Sequence, residues 1–387
     1  MAVDVYKRQV DISAALQAAI DAAAAAGGGV VYVPKGAYRL EQPIVVKSGV
    51  ELQGSTDYMH YVRIDTTVFL TDYGKAQEDA QPLITLEENA GIRGFNIVYD
   101  KVTQETIQPY ATTIQGQGAD AYIVNVTAVG GWYIADFNSH RCDRHYIEGL
   151  NFFTFKTGIA VGGGSENGVV INGHVNPGAL WDSGYTDYKW DSSWEGPLMT
   201  YLHENVVGFY VGETKNQVNF MTFIFGSKNG IRIDDGADVT VIGHGTDFSA
   251  TGIHLTGNAN AVIFDPQLIG TYSSEKYQST AIVADRNFTG TAAIFNTCAW
   301  NIQDTAIRIE GGRVFINGGT VLHGGQAAVY ADGGAVTVTG LIVQNRSLAD
   351  ILANPGVESI CAFGNLPSKN PKYTVADGVA KSGSDLA

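Results

Sequence analysis

Cysteine, charge and long apolar runs are all scarce in this chain of 387 residues. The three cysteines, Cys142, Cys298 and Cys361, are odd in number and far apart. That excludes a disulfide framework and any recognisable zinc spacing, and it predicts core thiols. Charged residues make up only 16%, with 24 Lys and Arg against 39 Asp and Glu, a net charge of −15. Such a balance argues against nucleic acid and anionic membrane as partners. No run reaches the roughly 20 apolar residues of a spanning helix. No signal peptide is visible, and the opening MAVDVYKRQ is expected to be a non-native or disordered start over residues 1–10. Location is left open between cytoplasmic and secreted.

Glycine, by contrast, is abundant at 47, and 45% of residues are hydrophobic. Low charge with high glycine suggests tight turns between buried strands. The segment DISAALQAAIDAAAAAGGGVVYVPKGAYRL opens the folded part. Ser13 is expected to cap a helix with Leu16, Ile20 and Ala24 on one face; Gly27 to Gly29 end it, and VVYV follows as a strand.

Further on, one pattern recurs: a small residue, then apolar, any, apolar. It is seen in TGIAV, VGFYV, NGIRI, TGIHL, TAIVA, TAIRI and AAVYA. Gly208 to Gly230, Gly230 to Gly252 and Ala306 to Ala328 are each 22 residues apart. A second strand series runs in phase, through VNFMTF, VTVIGH, AVIFDP, AAIFNT, RVFING and VTVTGL. Short apolar strands at this period predict an all-β solenoid whose coils stack because none buries its own face. A β-propeller is the structural rival, but its blades repeat at ~40–50 residues. Gly243, Asp265, Asn296 and Asn317 are expected at one coil corner, where Asn and Asp bond to backbone.

The stretch AALQAAIDAAAAAGGGVVYVPKGAYRL…GVELQG resembles the start of the pectate-lyase-like superfamily of right-handed parallel β-helices. The likeness is specific over residues 11–54, and the repeats extend it to about residue 345. It implies a single-stranded right-handed parallel β-helix with an N-terminal capping α-helix, and a role in carbohydrate processing. The expected layout is a β-helix domain over 11–350, an aromatic-rich loop at about 174–205, and an irregular tail over 351–387. The family hosts hydrolases, lyases, epimerases and phage tailspikes, so fold alone assigns no reaction.

IDDGADVTVIGHGTDF, residues 233–248, resembles the Asp pair and Gly-His-Gly of polygalacturonases. Its geometry departs from theirs. The pair and Gly243-His244-Gly245 lie within half a coil, Asn-Thr-Asp is missing, and Arg308-Ile309-Glu310 ends in an acid where lysine is expected. That active site is not carried over.

The acids still suggest chemistry. Glu213 and Asp235 are 22 residues apart, one coil, hence ~4.8 Å along the stack. Carboxyl groups ~5–5.5 Å apart suit a retaining glycosidase and ~6.5–9.5 Å an inverting one. Glu213, Asp234 and Asp235 are therefore the leading catalytic candidates, with Glu195, Glu204 and Asp247 behind them; the alternative is turn residues splayed into water. Asp285, Glu310 and Asp332 form a second acidic file, expected to be screened by solvent rather than held by calcium.

Between Gly158 and Gly208 the spacing jumps to 50. The inserted loop carries Trp181, Trp190, Trp194 and Tyr188, whose flat rings suit sugar faces, and Asp191 and His203, which suit hydroxyls. A folded flap with its own small core is the alternative. Arg232 and His244 complete the binding candidates. Residues 181–250 hold ten acids against four basic residues, which favours a neutral sugar over a bare uronate.

The residues thus predict a bacterial carbohydrate-active enzyme, a glycoside hydrolase first. A polysaccharide lyase acting on a uronic-acid polymer is second, and a non-catalytic glycan-binding or tailspike-like protein third. No metal ligand set is identified and no cofactor is expected, calcium entering only under the lyase reading. A carbohydrate is the expected partner, and a homotrimer is compatible with the fold.

Overall fold

The computed structural model describes residues 10–56, 66–181, 184–185, 191, 193, 195–271, 277–322, 325–344, 349–368 and 372–386, the side chains of 180 and 181 excepted. The Trp190, Trp194 and Tyr188 candidates, and the side chain of Trp181, lie outside the described residues, as does the opening 1–9. Two compact units are present, Met1–Tyr201 and Leu202–Ala387.

In the first unit a helix, α1, runs from Ser13 to Ala25 and packs on the strands Gly29–Tyr32, Ile44–Val46 and Val50–Gln53. Its start differs from the sequence expectation. Ser13 is the first helical residue, and the carboxylate of Asp11 accepts from the Ser13 amide at 3.0 Å and hydroxyl at 2.5 Å. Ile12 is the N-cap and makes no side-chain cap bond; the Ser13 side chain is buried and receives the amides of Glu41 and Gln42 instead.

Behind the helix, strands stack in parallel register. Val50–Gln53 pairs with Gly91–Arg93, which pairs with Tyr122–Phe137, then Tyr146–Val161, then Val169–Ile171. Alternation along each strand sends one file inward: Leu52, Ile92, Ile123, Ile147 and Val170 are in register and fully buried. Each such side chain contributes roughly 1.5–3 kcal/mol by leaving water.

The second unit repeats the arrangement. Val207–Val211 pairs with Phe223–Ile233, then Gly245–Leu255, Thr280–Ala284, Thr305–Ile309, Ala327–Ala331 and Ala349–Ala353, all parallel. Phe209, Ile231, Ile253, Ile282, Ile307, Val329 and Ile351 form one inward file, and Val211, Ile233, Leu255, Ala284, Ile309, Ala331 and Ala353 the next. The small residue ahead of them is a steric requirement: a Cβ at Gly208, Gly230 or Gly252 would meet a carbonyl oxygen of the next coil at 2.7, 2.5 and 2.6 Å. The architecture is all-β and that of a parallel β-helix.

Three expectations change. The stack does not stop at residue 350, because Ser359–Phe363, Tyr373–Val375 and Ala380–Ser382 continue it in parallel pairing. The left-handed corner column contains Met221, Gly243, Asp265, Asn296 and Gly318; Asn317 sits one residue earlier, opposite Phe295. At that corner the Asn296 amide does donate to Asp265, at 2.7 Å. Only Cys142 is a fully buried thiol, Cys298 and Cys361 being half-buried.

Candidate functional site

Between the two inward files of the second unit, one residue per strand must face outward. Those residues are Tyr210, Arg232, His254, Val283, Arg308, Tyr330 and Leu352, one per rung. The next position but one along each coil is the turn, and backbone bonds hold it in register too. Amides of Asp234, Thr256, Asp285, Glu310, Asp332 and Asn354 each donate to the carbonyl ending the strand of the preceding coil. A cationic and aromatic file therefore runs beside an acidic file, with rungs ~4.8 Å apart.

Contacts between the files are specific. Arg232 donates to Asp234 Oδ2 from Nε at 3.0 Å and lies at 2.8 Å through its terminal nitrogen. His254 Nε2 is 3.0 Å from Asp285 Oδ2, while Asp285 Oδ1 accepts the Asn287 amide at 2.9 Å. Arg308 pairs with Asp304, approaches Glu310 at 3.8 Å and lies over the Tyr330 ring at 5.2 Å. Arg286 bridges Glu310 at 3.8 Å and Asp332 at 3.4 Å. Burial and the neighbouring Asp234 charge push the Tyr210 phenol up. Asp285, Glu310 and Asp332 are thus met by His254, Arg286 and Arg308, a correction to the expectation that solvent alone screens them. These pairs are partly exposed, so each adds only about 0–1 kcal/mol of stability. Their importance is that they fix charge geometry on an open surface.

Among the carboxylates singled out from sequence, Asp234 lies on this file. Asp235 and Glu213 are one rung apart, as their spacing predicts, and both are exposed. Asp235 is engaged as a turn residue, its Oδ1 accepting the Asn258 amide at 2.8 Å, while its own amide donates to Asp234 at 2.9 Å. The stem of Glu213 lies against Gly236, where a Cβ would come within 3.0 Å of its Cγ. Asp247 is half-buried on a different column, opposite Phe225. Glu195 and Glu204 are exposed, Glu204 near the end of a helix over Pro197–Asn205.

Two histidines leave the binding list. Gly243 takes the left-handed corner at φ 66°, and His244, the next residue, turns into the interior with 0% exposure. Its Nδ1 lies 2.8 Å from the Thr222 hydroxyl, and its ring meets Phe209 edge-on at 5.7 Å. Burial drives its pKa down to about 3, so it is a neutral core residue and not a substrate contact. The Gly-His-Gly is corner chemistry. His203 is likewise buried, with Nε2 2.6 Å from the Phe248 carbonyl and its ring 4.4 Å from Tyr277. Of the inserted loop, Tyr185, Leu198 and Met199 are buried, and Tyr201 donates to the Phe155 carbonyl at 3.0 Å. That part packs as a flap, contrary to the preference for an open binding loop. Asp191 is exposed, and hydrogen bonds from Ser193 hold its carboxyl below the usual range.

Sequence reasoning missed His254 and Asp285 as a pair. The signal was present: His254 occupies the "any" position of TGIHL, the same outward slot as Arg232 in NGIRI.

Residues 8–172 match the family model described as rhamnogalacturonase A/epimerase, pectate lyase-like. The search of curated proteins finds no match. Among solved structures, the A-module of the Azotobacter vinelandii mannuronan C-5 epimerase AlgE4 is similar at TM-score 0.58 and 16% identity, over 96% of this chain and 95% of that one. The catalytic unit of a GH87 α-1,3-glucanase from Streptomyces thermodiastaticus is similar at TM-score 0.53 and 18% identity, covering 98% and 67%. A GH87 α-1,3-glucanase catalytic domain in complex with nigerose gives TM-score 0.53 at 14% identity, covering 100% and 68%. The resemblance read from residues 11–54 is thus borne out: the fold is that of the pectate-lyase-like β-helices.

Proposed function

We propose that this chain, with a pectate-lyase-like fold and a rhamnogalacturonase/epimerase match over residues 8–172, is a carbohydrate-active enzyme that hydrolyses a neutral glycan on the outward file of its second unit. One observation carries the reading. Arg232–Asp234 and His254–Asp285 project from neighbouring rungs onto one open surface, with Tyr210 and Tyr330 on the same file. The Thr256 rung separates Asp234 from Asp285, which puts ~9–10 Å of stack between their backbones. That rise is close to the upper end of the ~6.5–9.5 Å separation that leaves room for a water, as inversion requires.

The roles follow from the partners. Asp234, paired with Arg232, takes a proton from water as the water oxygen bonds to the anomeric carbon. The His254–Asp285 pair gives a proton to the departing glycosidic oxygen as its bond to that carbon breaks. Tyr210 and Tyr330 offer ring faces to the flanking sugars. The GH87 glucanases, hydrolases of the same fold, lend support to this class of reaction.

A second reading is elimination or C5 epimerisation of a uronate. An arginine on the same surface favours it: Arg232, one rung from His254, would neutralise a sugar carboxylate while His254 abstracts the neighbouring proton.

Incubation with neutral and uronic oligosaccharides, read by product mass and by absorbance of unsaturated ends, separates the two. Hydrolysis adds one water per cut, and Asp234→Asn and Asp285→Asn are each expected to lower the rate by ~10²–10⁴-fold. Asp235→Asn, a turn variant, should stay within a few-fold of the parent. Unsaturated or C5-epimerised products move the assignment to the second reading, and full activity in either Asn variant rejects this site.

A further inference from the structure

A second polar surface, built from residues given no role above, lies in the first unit. Arg93, Tyr122, Tyr146 and Glu148, with Asp120 and Arg144 at the rim and Val124 as floor, line an open recess of about 360 Å³. Five of them come from three adjacent strands in fixed register, where Arg93 pairs with Val124, Val124 with Glu148 and Tyr122 with Tyr146; Asp120 and Arg144 come from the turns before two of these strands.

The side chains are organised before any ligand arrives. Tyr122 lies over Gly91, where a Cβ would stand 2.1 Å from its ring, and so reaches Glu51, to which it donates at 2.6 Å. Arg93 meets the same Glu51 oxygen at 3.2 Å. Tyr146 donates to Glu148 at 2.7 Å. Arg144 grips Asp120 through two nitrogens, at 2.8 and 2.6 Å.

The rim is unusual in its backbone. Gly49, Asn89, Asp120, Arg144 and Asn167 occupy one left-handed corner column, with φ between 54° and 75°. Gly and Asn suit that conformation and arginine does not. An arginine stands where its backbone is disfavoured, and its guanidinium faces the recess rim. Strained residues of this kind concentrate at ligand sites.

We infer that this recess is a glycan-binding subsite for neutral sugar residues, separate from the file of the second unit. Two tyrosines supply apolar ring faces. Two guanidinium groups and two carboxylates supply planar, paired hydrogen-bonding edges of the kind that bracket vicinal hydroxyls. The lining carries two cations and two anions, and each cation already has an anion. A sugar carboxylate would therefore have to displace an existing pair, whereas hydroxyls need only join it. The inference does not rest on the hydrolase reading.

The test is titration calorimetry of the whole chain with linear glucan tetrasaccharides of α-1,3, β-1,3 and β-1,4 linkage, and with tetragalacturonate as the charged comparison. At least one neutral probe is expected to bind, and Tyr146→Ala or Glu148→Gln is expected to weaken it ~10-fold or more. Arg144→Asn guards against misfolding, because Asn fits the left-handed corner while losing the fork. It should fold at least as well as the parent and still bind more weakly. Failure of every neutral probe overturns the inference, as does binding that the three variants leave unchanged. Tighter binding of tetragalacturonate overturns the neutral class.

Discussion

His244 offers the sharpest check on the packing of the second unit. It is fully buried and neutral, with a pKa near 3 against 6.5 for the free side chain. The unfolded chain takes up a proton below about pH 6.5, whereas the folded chain does not until about pH 3. The folded pKa is the lower one, so stability is intact above 6.5 and falls as pH drops from 6.5 towards 3. Between pH 7 and pH 5 this one residue should cost about 2 kcal/mol, since 1.5 pH units below the free value at ~1.4 kcal/mol each are lost. His244→Leu removes the titration. It also leaves the Thr222 hydroxyl without its 2.8 Å partner, at about 1–3 kcal/mol independent of pH. Urea unfolding at both pH values, followed by a probe in the second unit, measures both effects. The variant should be less stable at pH 7 and lose about 2 kcal/mol less than the parent on going to pH 5. An equal pH loss in both proteins would refute the buried, neutral assignment.

Two further outcomes follow from close packing. Gly230→Ala places a methyl 2.5 Å from the Gly252 carbonyl and 2.4 Å from Thr246, so it should destabilise by about 1–3 kcal/mol in the same urea assay. Native thiol titration should show Cys298 and Cys361 reacting ahead of Cys142, which is buried and whose thiol pKa is pushed up to about 11 by that burial. Equal rates for all three would contradict the packing around Cys142.

The solenoid was legible in the sequence because its main constraint is steric and periodic. Gly208, Gly230, Gly252, Ala281, Ala306 and Ala328 must be small where coils meet, and that requirement recurs rung by rung. Orientation after a corner was not legible. Whether His244 faces in or out depends on Gly243 absorbing the turn at φ 66°, which a glycine in a glycine-rich chain does not announce. The His254–Asp285 pair was hidden for another reason. Its members are 31 residues apart, and an enlarged coil between them stretches the local period from 22 to 29, from Thr251 to Thr280. The acidic file was visible, but the arginines threading it were not, because Arg286 reaches forward one and two rungs to find Glu310 and Asp332.

The last rungs of the described stack, Tyr373–Val375 and Ala380–Ser382, are three residues each, the second exposed throughout, and Lys381 lies on it. A parallel β-helix is a template that another chain can extend by adding a strand to its open edge. Three residues give an incoming strand few hydrogen bonds, and a lysine there resists desolvation. A strand paired there therefore gains less than one paired to the five-residue rungs Ala327–Ala331 or Ala349–Ala353.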